Sequence, residues 1–423
     1  LTTDELVAAV RRGDAYQVRR LLDTADPGTV DPETGLPLLC TAVAAYDEEV
    51  ARALVDAGAD PLMPLPDGST PLLRAVDGGS VELVDELLDP RRIPAPLRGE
   101  LMARARHWAR TGAEAELRHR AGVDGPVRRE RVTDRAEYAW YTQVSLGGLT
   151  ARDGHLGILT VLEDDFGVPA PFEEVLARAL ARGDGDHAVW AHAAHVLSRR
   201  QVEETWQRAV ALSRHRDRLH RLFAAQLLLF LGIGNGLEAS PFDGRGAGVL
   251  LPWAREERDP EVLAAVLNAL SQDADGPEIE ALGLSYLTHP DSGVRCMVPR
   301  TLERSTEPPH LLVRPESLAA VLTLARDPDA DVRGAVCCWL ADYPGREPGI
   351  TDALAGLVRE ENQLVRIHAV HGLANRDDPR CVEGREHIGP VDWKPGTDTW
   401  LLDATDRYLE RRAKAAGPAG PAH

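Results

Sequence analysis

The stretch "GSTPLLRAVDGGSVELVDELLDPRRIP", Gly68 to Pro94, decides how the first part of the chain folds. Two short apolar segments flank Asp77-Gly78-Gly79-Ser80. Thr70 is placed to cap a helix whose first position is Pro71, where a missing N–H costs nothing. A shift of 33 residues upstream gives "GLPLLCTAVAAYDEEVARALVDAGADP", Gly35 to Pro61, with Ala42 aligned to Ala75. Leu21, Leu54 and Leu87 keep the same spacing, so "DELVAAVRRGDAYQVRRLLDTADP" is a third copy. A fixed period of this length means helix pairs that bury their apolar faces by stacking on one another.

The residues Asp67-Gly68-Ser69-Thr70-Pro71-Leu72-Leu73, Ala75, Gly79 and Leu87-Leu88 resemble the ankyrin repeat. Gly58, ahead of Ala59-Asp60-Pro61, is suited to closing a second helix in the left-handed conformation. The copy over 34–67 departs from the pattern, with Leu36 in place of Thr and Tyr46 near the usual Gly.

From residue 172 a different unit recurs: an apolar helix, an acidic or Pro-containing turn, and a second apolar helix. Clear copies are Ala247–Asp273, Glu278–Leu302, Ser317–Gly345 and Asp352–Pro379; Phe172–Ser198 and Val202–Gly232 fit more loosely, which makes six. Asp327-Pro328 with Val332-Arg333, His289-Pro290 with Val294-Arg295, and Val365-Arg366 resemble the signature of HEAT repeats of the phycobilisome-lyase-like type. The resemblance implies that Arg295, Arg333 and Arg366 bond acidic residues of neighbouring turns in a structural ladder. It also implies a fold and not an activity, since such arrays serve many roles.

The expected architecture is all-α: an elongated α-solenoid in which a short ankyrin stack (1–94) joins about six HEAT repeats (170–390) through a helical connector (95–169). Residues 391–423 are expected to supply a capping helix, "TWLLDATDRYLERRAKA", and a disordered tail. Within the connector, "LRGELMARARHWARTGAEAELRHRAG" reads as helix, "AEYAWYTQVSLGG" as helix or strand, and "GHLGILTVLEDDFG" as helix. The connector is expected to cap the ankyrin stack, whose apolar end is otherwise exposed.

With 423 residues and 43% hydrophobic content the chain has ample core. Its 46 arginines against two lysines, alongside abundant Ala, Gly and Pro, reflect GC-rich, bacterial coding more than a binding property. The net charge of −19 is uneven: −12 over 1–90, +6 over 91–135, −4 over 136–169, −9 over 170–390 and zero beyond. Such a surface repels nucleic acid and anionic membranes and favours basic partners. Five cysteines without zinc-like spacing suit buried thiols in a cytoplasmic protein. No apolar run is long enough for a membrane helix, and because the chain begins at Leu1 rather than a methionine, a true start further upstream is expected.

Chemistry-bearing patterns are sparse. The weak metal candidates are His187, His192 and His195 in "DGDHAVWAHAAH", which lack a converging fourth ligand. The chain contains no His-Glu dipeptide, unlike the iron-binding HEAT hydroxylases, and no nucleophile elbow or complete phosphate loop. No cofactor is expected. Arg118, Arg120, Arg128, Arg129 and Arg131 of the connector are either a phosphate-binding patch, or a solvated helix face or one that meets the acidic ankyrin module.

Two features remain. If the helix that starts at each Val-Arg lies outside, the inner curve carries Glu173, Glu174, Glu203, Glu204, Glu256, Glu257, Glu278 and Glu280, an acidic groove for a basic protein or peptide. The second lies in "LLLFLGIGNGLEASPFDGRGAGVLLPW", Leu227 to Trp253, where "NGLEASPFDGRGAG", Asn235 to Gly248, is an oversized loop with Phe242, Asp243 and Arg245 at its tip; Trp253 just beyond is either an interface anchor or core filler. A helix precedes this loop and no Lys follows its glycines, so it does not suit phosphate. The function expected is a non-catalytic scaffold or adaptor, in one variant an inhibitor or immunity-like protein. The alternatives are an enzyme or small-molecule binder on the inner curve, and a nucleic-acid binder through the connector.

Overall fold

The computed structural model describes residues 2–134, 139–234, 240–274, 276–302, 314–391 and 401–416. These residues form 23 helices and three short strands, an all-α solenoid architecture with one small sheet. The chain divides into two compact units, Leu1–Arg200 and Gln201–His423.

In the first unit, helix pairs α1 (Thr2–Arg12) with α2 (Ala15–Leu22), α3 (Leu38–Ala44) with α4 (Glu48–Asp56), and α5 (Pro71–Gly78) with α6 (Val81–Leu87) stack at the expected period. Thr70 caps α5 by accepting the Leu73 N–H at 3.2 Å, and Pro71 opens that helix. Gly58 follows α4 with φ of 106°, the left-handed turn its position required. Tyr46 takes a positive φ of 55° where a glycine is usual. Its hydroxyl donates to the carbonyls of Gly78 at 3.0 Å and Thr150 at 3.3 Å, so the strained residue ties two repeats to the segment that follows.

That segment is α7 (Ala95–Thr111), α8 (Ala113–Ala121), strands β1 (Arg128–Thr133), β2 (Trp140–Leu146) and β3 (Leu149–Arg152), and α9 (His155–Asp165). The connector is therefore not wholly helical: an antiparallel sheet in order β1-β2-β3 interrupts it. Its central strand is rich in aromatic and β-branched residues and buries Tyr141, Val144 and Leu146, while Gly147 and Gly148, both at positive φ, make the turn to β3. Helices α7 and α9 pack on the last ankyrin pair and extend its core. Gly79 ends α5 in the left-handed region, and any side chain there would collide with the Arg152 carbonyl and the His155 ring. The Tyr141 hydroxyl accepts the Val81 N–H at 3.0 Å and donates to Glu82, capping α6 from the sheet. The pair α10 (Phe172–Leu180) and α11 (Ala188–Arg199) completes the unit.

The second unit is an array of helix pairs: α12 (Glu203–Leu212) with α13 (Arg218–Ile233), α14 (Ala247–Glu256) with α15 (Pro260–Asp273), α16 (Pro277–Ser285) with α17 (Ser292–Thr301), α18 (Pro315–Leu324) with α19 (Ala330–Asp342), and α20 (Pro348–Leu357) with α21 (Gln363–Asn375). Helices α22 (Arg380–Ile388) and α23 (Asp403–Ala416) close it, the latter where the capping helix was expected. The tail beyond it, 417–423, lies outside the described residues.

Helices α13, α15, α17, α19 and α21 pack directly on one another, whereas α12, α14, α16, α18 and α20 barely touch. Closely spaced helices form the short, inner side of a curved array and splayed helices its outer side. This reverses the arrangement expected from sequence. The helices that begin at the capped turns are inner, so the carboxylates of α12, α14 and α16 belong to the outer layer and do not line an acidic inner groove.

The inner helices share one device. Each opens with a side-chain cap, from Asp217, Asp259, Asp291, Asp329 or Asn362. Four residues after the cap stands an arginine in all but one. Arg295 bonds the carbonyls of His289 and Pro290 in its own turn and both oxygens of Asp327 in the next at 2.8 Å. Arg333 does the same with Asp327 and Pro328 carbonyls and Glu360. Arg366 bonds the carbonyls of Glu360, Glu361 and Ile388. Arg221 is a fourth rung, on the carbonyls of His215 and Arg216 and on Glu257. The exception is α15, where Leu263 holds the arginine position and is buried. The residue that would accept from it, two before the next cap, is His289 where the other turns carry Glu257, Asp327 and Glu360.

Candidate functional site

Because α12 and α14 splay, a cleft of about 540 Å³ opens between them. Its lining comes from the end of α12 and the following turn (Val210, Ser213, Arg214), from Arg221 of α13, and from α14 and its exit (Gly248, Val249, Pro252, Trp253, Glu256, Glu257, Arg258). Three of the residues singled out in the sequence, Trp253, Glu256 and Glu257, meet here.

Their roles differ. Glu257 is nearly buried and fully engaged: Arg221 holds both its oxygens, the Trp253 indole N–H donates at 3.0 Å, and the N–H groups of Arg258 and Asp259 donate at 2.9 Å. Burial by itself raises a carboxylate pKa, but these donors outweigh it and hold Glu257 down at about 2. Trp253 is 8% exposed, so it is largely core and shows one edge to the cleft. Glu256 is exposed. The cleft thus presents an apolar floor of Val210, Val249, Pro252 and Trp253, one neutralised ion pair, and the charged ends of Arg214, Arg258 and Glu256.

The other candidates gather one step away and stabilise the loop. Phe242 is 2% exposed and stacks on Trp206 of α12, with centroids 5.1 Å apart and planes within 8°. Arg245 lies over both rings and bonds both oxygens of Glu203 at 2.9 and 3.1 Å. Ser240 donates to the Leu231 carbonyl, and Asp273 accepts the N–H groups of Gly246 and Ala247, which fixes the start of α14. Hence Phe242 is not an exposed tip: it folds back on α12, with the exposed Arg245 clasped over it. Asp243 is exposed, Glu204 pairs with Arg208 along its own helix, and Asn235 to Ala239 lie outside the described residues.

His187, His192 and His195 do not converge. His187 is buried, its Nδ1 accepting the Val189 N–H and its Nε2 lying 3.1 Å from Asp153, with Trp140 edge-on. His192 Nδ1 donates to the Ala188 carbonyl at 2.9 Å. Among the described residues no three His, Cys, Asp or Glu side chains are grouped to hold a metal. The connector arginines are mostly committed to acids: Arg120 to Asp77 and Glu116, Arg118 and Arg129 to Glu114, Arg128 to Glu130, while Arg131 stacks on Trp140. A cavity of about 410 Å³ between α3, α5 and the β2–β3 turn has apolar walls, and its charged members Asp77, Arg74 and Arg120 are likewise paired.

The α12–α14 cleft joins an apolar floor to a charged rim. Sequence reasoning missed Arg214, Arg221 and Arg258. The signal for Arg221 is the cap-plus-four spacing from Asp217, shared with Asp291 and Arg295; for Arg214 and Arg258 only the splay of the helices brings them together.

Comparison with known proteins accords with the first unit's repeats. Residues 6–94 match the ankyrin-repeat family in three copies. The ankyrin module so defined ends where the connector begins. No curated protein matches the chain. Among solved structures, the chain is similar to YibA of Escherichia coli (16% identity, TM-score 0.42, covering 57% of this chain and 93% of that one). It is also similar to a mutant of Kap121p (11%, 0.47, 98% and 46%) and to an engineered protein (16%, 0.37, 97% and 98%). Among the described residues no helix is long and apolar enough to cross a membrane.

Proposed function

We propose that the chain is a non-catalytic interaction scaffold, acting in the cytoplasm, whose ankyrin module engages a basic protein as an adaptor or as an inhibitor of immunity-like type. The observation that carries this reading is the module's charge. Residues 1–90 hold −12, and Asp4, Glu33, Asp56, Asp60, Asp67 and Asp89 are exposed along the stack. Repeat stacks present extended surfaces suited to protein partners, and a one-signed surface selects and steers an oppositely charged one. The acidic groove first expected on the inner side of the helix-pair array has no part in it, because those carboxylates lie on the outer layer. The array belongs in this reading to the short HEAT type, for which the arginine ladder is the support. The five free cysteines, three of them buried, fit a reducing compartment.

The test is crosslinking in the source cell followed by titration of the recovered protein. A partner with a basic surface is expected, with affinity that falls steeply between low and physiological salt and is lost on joint replacement of Asp56, Asp60 and Asp67 by Asn. A salt-insensitive interaction, or one untouched by those substitutions, would overturn the proposal. A second reading, a small-molecule binder, rests on the size of the α12–α14 cleft alone.

A further inference from the structure

We propose that the cleft between α12 and α14 is a second binding site, independent of the ankyrin face. Its ligand is a carboxylate flanked by apolar side chains, as in a short acidic segment of a partner protein.

Four arginines around the cleft meet acids: Arg208 pairs with Glu204, Arg218 with Glu261, Arg245 with Glu203 and Arg255 with Glu278. Within it, Arg221 is consumed by Glu257. Arg214 and Arg258 also line the cleft, are exposed, and have no carboxylate at ion-pair distance among the described residues. In a chain of net charge −19, the cleft thus carries two exposed guanidinium groups that no carboxylate of the described residues neutralises.

Charge and shape then narrow the ligand. Once Arg221 and Glu257 cancel, Arg214, Arg258 and Glu256 leave a local charge of +1. That suits one carboxylate, which a guanidinium binds through two parallel N–H bonds. A polyphosphate or nucleic acid brings several negative charges toward Glu256 and toward an acidic protein, and is disfavoured. The floor of Val210, Val249, Pro252 and the Trp253 edge gains nothing from a bare anion, but it rewards apolar side chains next to the carboxylate. Glu256 at the rim is an acceptor for the segment's backbone N–H groups. The volume of about 540 Å³ falls within the usual range of ligand clefts and admits a few side chains, not a folded domain. Nor can the clasp swing across to fill the space, since Phe242 is stacked on Trp206 and Arg245 is held by Glu203.

The test is calorimetric titration of the full chain with the blocked peptide acetyl-Gly-Leu-Glu-Leu-Gly-amide, its Gln analogue, and tripolyphosphate. The Glu peptide is expected to bind at least tenfold more tightly than the Gln analogue, and tripolyphosphate not to compete. Arg214→Gln and Arg258→Gln, both at exposed positions, should each weaken binding several-fold with unchanged circular dichroism, and Val249→Glu should abolish it. No binding to the wild type, equal binding of the two peptides, no effect of either arginine substitution, or preference for tripolyphosphate would overturn the proposal. Asp56→Asn/Asp60→Asn/Asp67→Asn should keep the peptide affinity, so failure here and failure of the ankyrin reading are told apart.

Discussion

Glu257 and Arg221 show how a residue that reads as a surface acid becomes part of the frame. In the sequence, Glu256 and Glu257 are equivalent; in the fold, one is exposed and the other is wrapped by four donors. A carboxylate held at about 2 in the folded state, below its ordinary value near 4.5, contributes stability that is present above the ordinary value. That contribution is lost as pH falls from about 4.5 toward 2. Glu257→Gln should therefore destabilise the second unit by about 3 kcal/mol at pH 7, the scale for breaking a largely buried pair. The difference from wild type should shrink across that acid window, as read from urea midpoints measured at several pH values. His155 titrates in a neighbouring range in the first unit: buried against Trp108 at 4.6 Å, it is lowered to about 4. Its neutral form is kept in the fold, so stability falls as pH drops from about 6.5 toward 4. His155→Gln should flatten that portion of the thermal stability profile. Trp253 was legible only as an alternative between anchor and core. Its 8% exposure and its bond to Glu257 make it chiefly core, a distinction that depends on rotation about the helix axis and is invisible in sequence.

At the scale of elements, period and capping were legible while layer assignment and loop packing were not. Thr70, Pro71, Gly58 and the Val-Arg turns act locally, so their meaning survives without knowledge of neighbours. Which helix of a pair faces inward is decided by helices a repeat away, and that expectation was reversed. The strand at Trp140–Leu146 stayed ambiguous because seven apolar and polar residues suit either period. The loop joins α13 of one pair to α14 of the next, and Phe242 reads as exposed until Trp206 is seen beneath it. Phe242→Ala should cost about 3 kcal/mol by emptying a packed site, measurable as a lower denaturant midpoint. A binding-only role would leave that midpoint unchanged. The ladder supplies a reciprocal test at its gap. Leu263→Arg alone buries an unpaired guanidinium and should destabilise the array by 2 kcal/mol or more (about the cost of an uncompensated charge). Adding His289→Asp should recover at least about 1 kcal/mol of that loss, a coupling read from a double-mutant cycle.

Over the whole molecule, charge is distributed by module, and this much was plain from counting residues. The ankyrin module carries an excess of acid, and the connector's arginines answer it through Arg104 and Arg120 on Asp77. The net of −19 still leaves unbalanced repulsion. Raising ionic strength from about 0.01 to 0.15 M shortens the screening length from about 30 to 8 Å. Screening should weaken repulsion between distant carboxylates while leaving the buried rungs nearly intact. The thermal midpoint should rise by a few degrees over that range, and a fall would show that exposed ion pairs outweigh the net charge.

The missing rung has a mechanical meaning. Bidentate ion pairs between successive turns resist shear, because sliding by even an ångström or two breaks directional bonds, whereas apolar side chains exchange one contact for another as they slip. Among the described residues no ion pair joins the turns of Asp259 and Asp291, so there the second kind of resistance holds the inner helices. A pull along the array is therefore expected to concentrate its strain at that joint, while the turns joined by the Arg295–Asp327 and Arg333–Glu360 pairs slide less readily.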